Sequence, residues 1–129
     1  MDVNKTILIG NLTNDPTIKK LKNGTDLARV GLATNLVWKK TKSSETKNKA
    51  EFHNLVFWGK LASIVEKYLH KGDKVYVEGR LQTRNWDDKE GKKHYMTEII
   101  VKDLVMLGGK KKEEAEKEVA IEEIDIEEE

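Results

Sequence analysis

Residues 1–109 predict an all-β domain: five strands closed into a small barrel, with one α-helix between the third and fourth strands. An acidic, flexible tail over residues 110–129 follows. Three observations carry this expectation. Five segments are rich in β-branched residues or alternate apolar with polar ones, as half-buried strands do. A single segment, 60–72, repeats its apolar residues at helical spacing. The remaining residues are too few to cover both faces of an open sheet, and closure removes the edges that would otherwise pair with other chains.

The first strand is "VNKTILIGNL" at 3–12, where Gly10 interrupts the β-branched run and marks a bulge or a sharp coil of the sheet. "NDP" at 14–16 and "KNGT" at 22–25 carry turn chemistry. "DLARVGLATNLVW" at 26–38 puts Ala28, Val30, Leu32 and Leu36 on one face of the second strand. "KKTKSSETKNKA" at 39–50 is polar throughout until Ala50 and reads as a flexible loop. "EFHNLVFW" at 51–58 is the third strand. Its neighbours Phe57 and Trp58 must point to opposite faces, Phe57 inward with Leu55 and Trp58 outward with Phe52.

The helix is "KLASIVEKYLHKG", with Leu61, Ile64, Val65, Tyr68 and Leu69 on its apolar stripe and Gly72 at its C-cap. "DKVYVEGRLQTRNW" at 73–86 is the fourth strand and buries Val75, Val77 and Leu81. "DDKEGKK" at 87–93 is a hairpin connection, and "HYMTEIIVKDLVML" returns as the fifth strand. This order, with its long second-to-third and fourth-to-fifth connections, predicts an OB-fold barrel.

Composition narrows the chemistry. The 129 residues contain no cysteine, which removes disulfides, thiolate nucleophiles and thiolate zinc sites and suits a reducing compartment. His53, His70 and His94 lack metal-ligand spacing, so neither a metal nor a cofactor is expected. No apolar run approaches the roughly 20 residues that span a bilayer, and the N-terminal stretch lacks the pattern of a signal peptide. No membrane partner is expected, and the expected location is cytoplasmic. The net charge of +1 conceals a division: residues 1–112 hold 23 Lys plus Arg against 13 Asp plus Glu, while residues 113–129 hold one Lys against ten acids. A basic body calls for a polyanionic partner, and a tail so dense in one charge stays solvated.

The aromatics indicate which polyanion. Trp38 precedes Lys39 and Lys40, Trp86 follows Arg84 at the mouth of a hairpin, and Phe52 and Trp58 share the outer face of one strand. Nucleobases of single strands stack on aromatic rings for roughly 1–3 kcal/mol each, whatever their sequence. Lys39, Lys40, Lys60, Lys71 and Arg84 lie near those rings in the expected topology and would neutralise phosphates. Duplex DNA hides its base faces, so this surface favours single strands. Tyr68 and Tyr76 read as packing residues.

The same stretches resemble bacterial single-stranded DNA-binding protein. "NKTILIGNLTNDP", "FWGKLA", "YLHKGDKVYVEGRLQTRNW" and "MLGG" carry the likeness, which covers nearly all of residues 3–109. It implies an OB-fold homotetramer that binds single-stranded DNA without sequence preference, is not an enzyme and serves replication, recombination and repair at the nucleoid. Its stacking positions fall on Trp38, Phe52, Trp58 and Trp86, and its basic positions on Lys60, Lys71 and Arg84. Phe52 stands where tryptophan is usual and Trp58 where phenylalanine is usual; both exchanges keep a π-face. His53 matches a position used in subunit contacts.

The family also implies an acidic end that recruits replication and repair enzymes. Here that end is "VAIEEIDIEEE", whose partner-binding candidates are Ile124, Asp125, Ile126, Glu127, Glu128 and Glu129, without the usual closing proline and phenylalanine. Two other functions fit parts of the sequence. A metal-dependent nuclease would use Asp87, Asp88 and Glu90, although a solvated turn explains them more simply. An RNA-binding OB module would use the same aromatics, since stacking does not read the 2′-hydroxyl.

Overall fold

The computed structural model describes residues 1–39 and 45–108. Its elements are β1 (Thr6–Leu12), β2 (Thr17–Lys20), β3 (Asp26–Lys39), β4 (Thr46–Trp58), α1 (Lys60–Tyr68), β5 (Lys74–Asp87) and β6 (Lys93–Met106). The strands run in the order β1-β5-β6-β4-β3, and pairing of β1 with β3 closes the ring. Five strands therefore form the barrel, as expected. The sixth, β2, is a four-residue edge strand added to β3 that the sequence reading passed over. It gives four residues of pattern between two turn signals, too few for a period to show. Counting it moves the helix to between the fourth and fifth strands, at the same place in the chain.

Closure depends on β1 changing partners within seven residues. Thr6–Asn11 pair with β5, while Asn11 and Leu12 pair with Ala33 and Leu32 of β3. At that crossing a side chain on Gly10 would place its Cβ 2.2 Å from the carbonyl oxygen of Ala33. The glycine thus marks a coil of the sheet, one of the two features expected there. The other seam is a short parallel one, where Leu55 and Val56 of β4 meet Ile99 and Ile100 of β6.

The interior is aliphatic around one aromatic. Phe57 is fully buried with Ala28, Val30, Leu32, Leu55, Val75 and Val77. Helix α1 adds Ala62, Ile64 and Val65, and Leu69 just past its end is buried too. The helix starts at Gly59, whose φ of 61° lies in the left-handed region that glycine tolerates. It ends differently from expectation: Leu69 is the C-cap in extended conformation, its N–H donating to the Val65 carbonyl at 3.0 Å. Gly72 instead occupies the following turn and donates its N–H to the Leu12 carbonyl at 2.8 Å, tying that turn to the end of β1.

Two further expectations are corrected. Within the stretch read as a loop at 39–50, Lys39 and Thr46–Ala50 are strand, because Thr46–Ala50 pair with Asn35–Lys39 in a β3–β4 arm. Its lysines and polar residues gave a solvated pattern because the arm runs beyond the core. Leu81, expected inside, is 48% exposed for the same reason, as β5 and β6 continue outward from Gly79 as a second arm. At the root of that arm the register shifts: Glu78 faces Asp103 and Gly79 faces Val101, which leaves Lys102 as the extra residue. The bulge switches the inward residues of β6 from Ile99 and Val101 to Leu104 and Met106.

Candidate nucleic-acid interface

Strand parity sorts the outer face residue by residue. On β4 the pleat opposite Leu55 and Phe57 carries Phe52, Asn54, Val56 and Trp58. The β4–β6 register sets Glu98 and Ile100 on this outer pleat, and the β5–β6 register brings Arg84 opposite Met96 and Trp86 opposite His94. Across the other edge, Arg29 faces Val56 and Leu27 faces Trp58. Phe52, Trp58 and Trp86 therefore share the outer surface of the sheet β5-β6-β4-β3. Phe52 and Trp58 lie six residues apart, a span of about 20 Å.

Exposure separates these rings from the core aromatic. Phe57 has 0% of its surface exposed, against 72% for Phe52, 44% for Trp58, 44% for Trp38 and 38% for Trp86. Trp38 departs from the common row. It continues the pleat of Leu32 and Leu36, opposite to that of Ala33, the partner of Phe52, and faces Lys47 on the β3–β4 arm. The four aromatics thus divide into three on one sheet face and one on the far side of an arm.

The three do not share one cleft. Phe52 lines a cleft of about 370 Å³ with Arg29, Asn54, Arg84, Met96 and Glu98. Trp58 lines another, of about 610 Å³, with Asn4, Lys5, Arg80, Ile100 and Lys102. In this second cleft Asn4 fixes the N-terminal wall by bonding both ways to Leu81: its amide donates to the carbonyl at 2.8 Å and its side-chain oxygen accepts from the N–H at 2.9 Å. Lys5 is 2.6 Å from Glu78 Oε1; the hydrogen bond raises the Lys5 pKa and lowers that of Glu78. Among the described residues, Arg80 and Lys102 are the other cations lining that cleft.

Trp86 already has two ring contacts. The Arg84 guanidinium lies 4.4 Å from its ring centroid, and His94 stacks on it at 5.5 Å with the planes 21° apart. His94 in turn meets Asp88 Oδ2 at 2.7 Å. Asp88 Oδ1 accepts the N–H groups of Glu90 and Lys92, both at 2.9 Å, so this carboxylate shapes the hairpin tip. The His94 contact first, and the backbone N–H of Lys92 next, hold its pKa below the ordinary value. Among the described residues no group of three or more His, Asp or Glu is arranged to hold a metal ion.

The remaining sequence candidates are dispersed. Lys39 is exposed at the end of β3 beside Trp38, paired with Thr46. Lys60 is exposed at the start of α1 and Lys71 in the turn before β5, where its N–H donates to Asp15 Oδ1 at 2.8 Å; neither lines the two clefts. His53 is half-buried and meets Thr34 Oγ1 through Nε2 at 2.9 Å. Lys40 and Ile124–Glu129 lie outside the described residues. Sequence reasoning missed Arg29 and Glu98. Both gave a signal, as charged residues inside apolar strand segments, "LARVGL" and "MTEIIV".

A five-stranded barrel with one helix and an outer face of exposed rings beside cations is an OB-fold of the nucleic-acid-binding type. The model of the single-strand binding protein family matches residues 3–107, so the chain belongs to that family. The chain is similar to single-stranded DNA-binding protein 1 of Xylella fastidiosa (strain 9a5c), 48% identical over 108 residues, covering 84% of this chain and 79% of that protein. It is also similar to a solved structure described as the Plasmodium falciparum SSB complex with ssDNA. There the TM-score is 0.75 and the identity 36%, over 84% of this chain and 97% of that one.

Proposed function

We propose that the protein coats single-stranded DNA without sequence preference, as a non-enzymatic partner of replication, recombination and repair. The single observation that carries this is the contrast within β4: Phe57 is sealed in the core while Phe52 and Trp58 stand exposed on the opposite face. Trp86 joins them on that face, and Trp38 offers a further exposed ring on the far side of the β3–β4 arm. Bases stack on these rings, and Lys39, Lys40, Lys60, Lys71 and Arg84 neutralise phosphates. The similar Plasmodium falciparum structure, a complex with ssDNA, supports the same partner.

The binding domain spans residues 1–109, and the acidic segment 110–129 recruits partner enzymes through Ile124–Glu129. Four copies assemble, with His53 at a contact between subunits. The protein acts in the cytoplasm at the nucleoid; among the described residues no helix is long and apolar enough to cross a membrane.

The test is a titration of tryptophan fluorescence with oligo(dT) beside a duplex of equal phosphate count, at two salt concentrations. Strong quenching by the single strand and little by the duplex is the expected result. Equal responses to both, erased by salt, would show that only charge is read. Matched ribo-oligomers in the same titration compare RNA, which quenches equally if the 2′-hydroxyl is not sensed.

A further inference from the structure

The cleft beside Phe52 contains a feature that stacking does not explain. Glu98 is 3% exposed, a carboxylate sunk into the outer face of the sheet. Arg84 Nε meets its Oε1 at 2.9 Å, and Arg29 Nε lies 3.6 Å from its Oε2. The second approach is an ion pair too long to be a hydrogen bond, and the buried Arg29 Nε has no hydrogen-bond partner among the described residues. Two guanidinium groups thus converge on one carboxylate, and the trio carries a net charge of +1. The rest of Arg84 is directed: its guanidinium covers the Trp86 ring at 4.4 Å. Phe52, Asn54 and Met96 line the same cleft.

The geometry points to a phosphate subsite formed by Arg29 and Arg84 between the rings of Phe52 and Trp86, with Glu98 as its positioning residue. The proposal rests on the single-strand reading above and adds to it Arg29 as a phosphate ligand and Glu98 as the group that aims Arg84. A guanidinium has five N–H donors, and the bonds to Glu98 and to Met96 Sδ use two of those on Arg84. The others can meet a phosphate in the forked manner that arginine favours. Arg29, with its side chain 42% exposed, is within reach of the same anion. A strand laid from Phe52 towards Trp86 would thus have the phosphate between two stacked bases held at a fixed place. Glu98 also sets the charge of the subsite, since its carboxylate competes with the phosphate for both arginines.

That competition gives a test with opposite signs. Binding of oligo(dT) is measured across a salt series on protein in which Trp38 and Trp58 are phenylalanine, so that Trp86 alone reports. For single strands, log Kobs falls with log salt with a slope of about −0.7 per phosphate neutralised. Arg29→Ala removes one phosphate contact and makes the slope shallower by about 0.7. Glu98→Gln frees both arginines and makes it steeper by about the same amount. At high salt, where charge is screened, Glu98→Gln instead binds about tenfold more weakly, because Arg84 is no longer aimed and stacking at Trp86 is compromised.

A merely structural Glu98 would weaken binding at all salts without steepening the slope. A slope unmoved by Arg29→Ala, or unmoved or made shallower by Glu98→Gln, overturns the subsite. If Glu98→Gln fails to fold, Arg29→Ala decides alone, being a change at a half-exposed side chain. Absence of quenching in the protein with both arginines and Glu98 intact would instead overturn the single-strand reading itself.

Discussion

The two faces of β4 are made from alternating residues of one strand and do different work. The inner pleat holds Leu55 and Phe57 against the barrel core, with every atom of the Phe57 ring packed. The outer pleat holds Phe52 and Trp58, rings of similar chemistry left in solvent. Aromatic content alone therefore says nothing about role; parity relative to a closed barrel does. Because adjacent residues divide in this way, stability and binding should separate cleanly between neighbouring positions.

The largest expected effect is on the inner face. Phe57→Ala opens a cavity in the core and should lower unfolding free energy by about 3–5 kcal/mol, read as a shift of the urea midpoint. On the outer face the effect moves to binding. Trp58→Ala or Phe52→Ala should weaken oligo(dT) binding by roughly 1–3 kcal/mol, with stability unchanged to about 0.5 kcal/mol. A Trp58→Ala protein that unfolds earlier yet binds normally would break the comparison, because Trp58 would then be a packing residue.

A smaller effect concerns the charge division between the body and the acidic segment. Deleting residues 113–129 removes ten acids and one lysine. Affinity for oligo(dT) should rise several-fold at low salt and little at high salt, since the carboxylates compete with phosphate only while unscreened. Weaker or equal binding by the truncated protein at low salt would exclude competition by this segment.

How much of this was legible in the sequence depends on range. The barrel strands, the helix and the opposite facing of Phe57 and Trp58 follow from periodicity, a local property. The arms did not, because parity predicts burial only where the barrel continues: Leu36 and Leu81 keep the inward phase yet lie exposed beyond it. Trp38 was grouped with Phe52 by its flanking lysines, and only the β3–β4 register shows that it lies on the opposite pleat. Arg29 and Glu98 were visible as charges within apolar strands, but their meeting depends on pairings between β3, β4 and β6 far apart in sequence. Sequence thus located the exposed rings but left unread the polar floor between them.

The smallest expected effect lies at the tip of the β5–β6 arm, where Asp88 ties the turn to the Trp86–His94 stack. Its pKa is lowered in the folded protein by His94 and by backbone N–H groups, so the folded arm favours the ionised form. The stabilisation is therefore fully present above the ordinary carboxylate pKa and is lost as pH falls through the lowered value. Amide protection at Glu90 and Lys92, measured by hydrogen exchange, should decline over that acid window while the barrel amides hold. Asp88→Asn keeps an oxygen for both N–H groups but cannot titrate over that range, and its tip should show no such decline. An identical acid response in both proteins would place the transition elsewhere. A difference confined to the tip would show that the arm carrying Trp86 is ordered locally, independently of the core that holds Phe57.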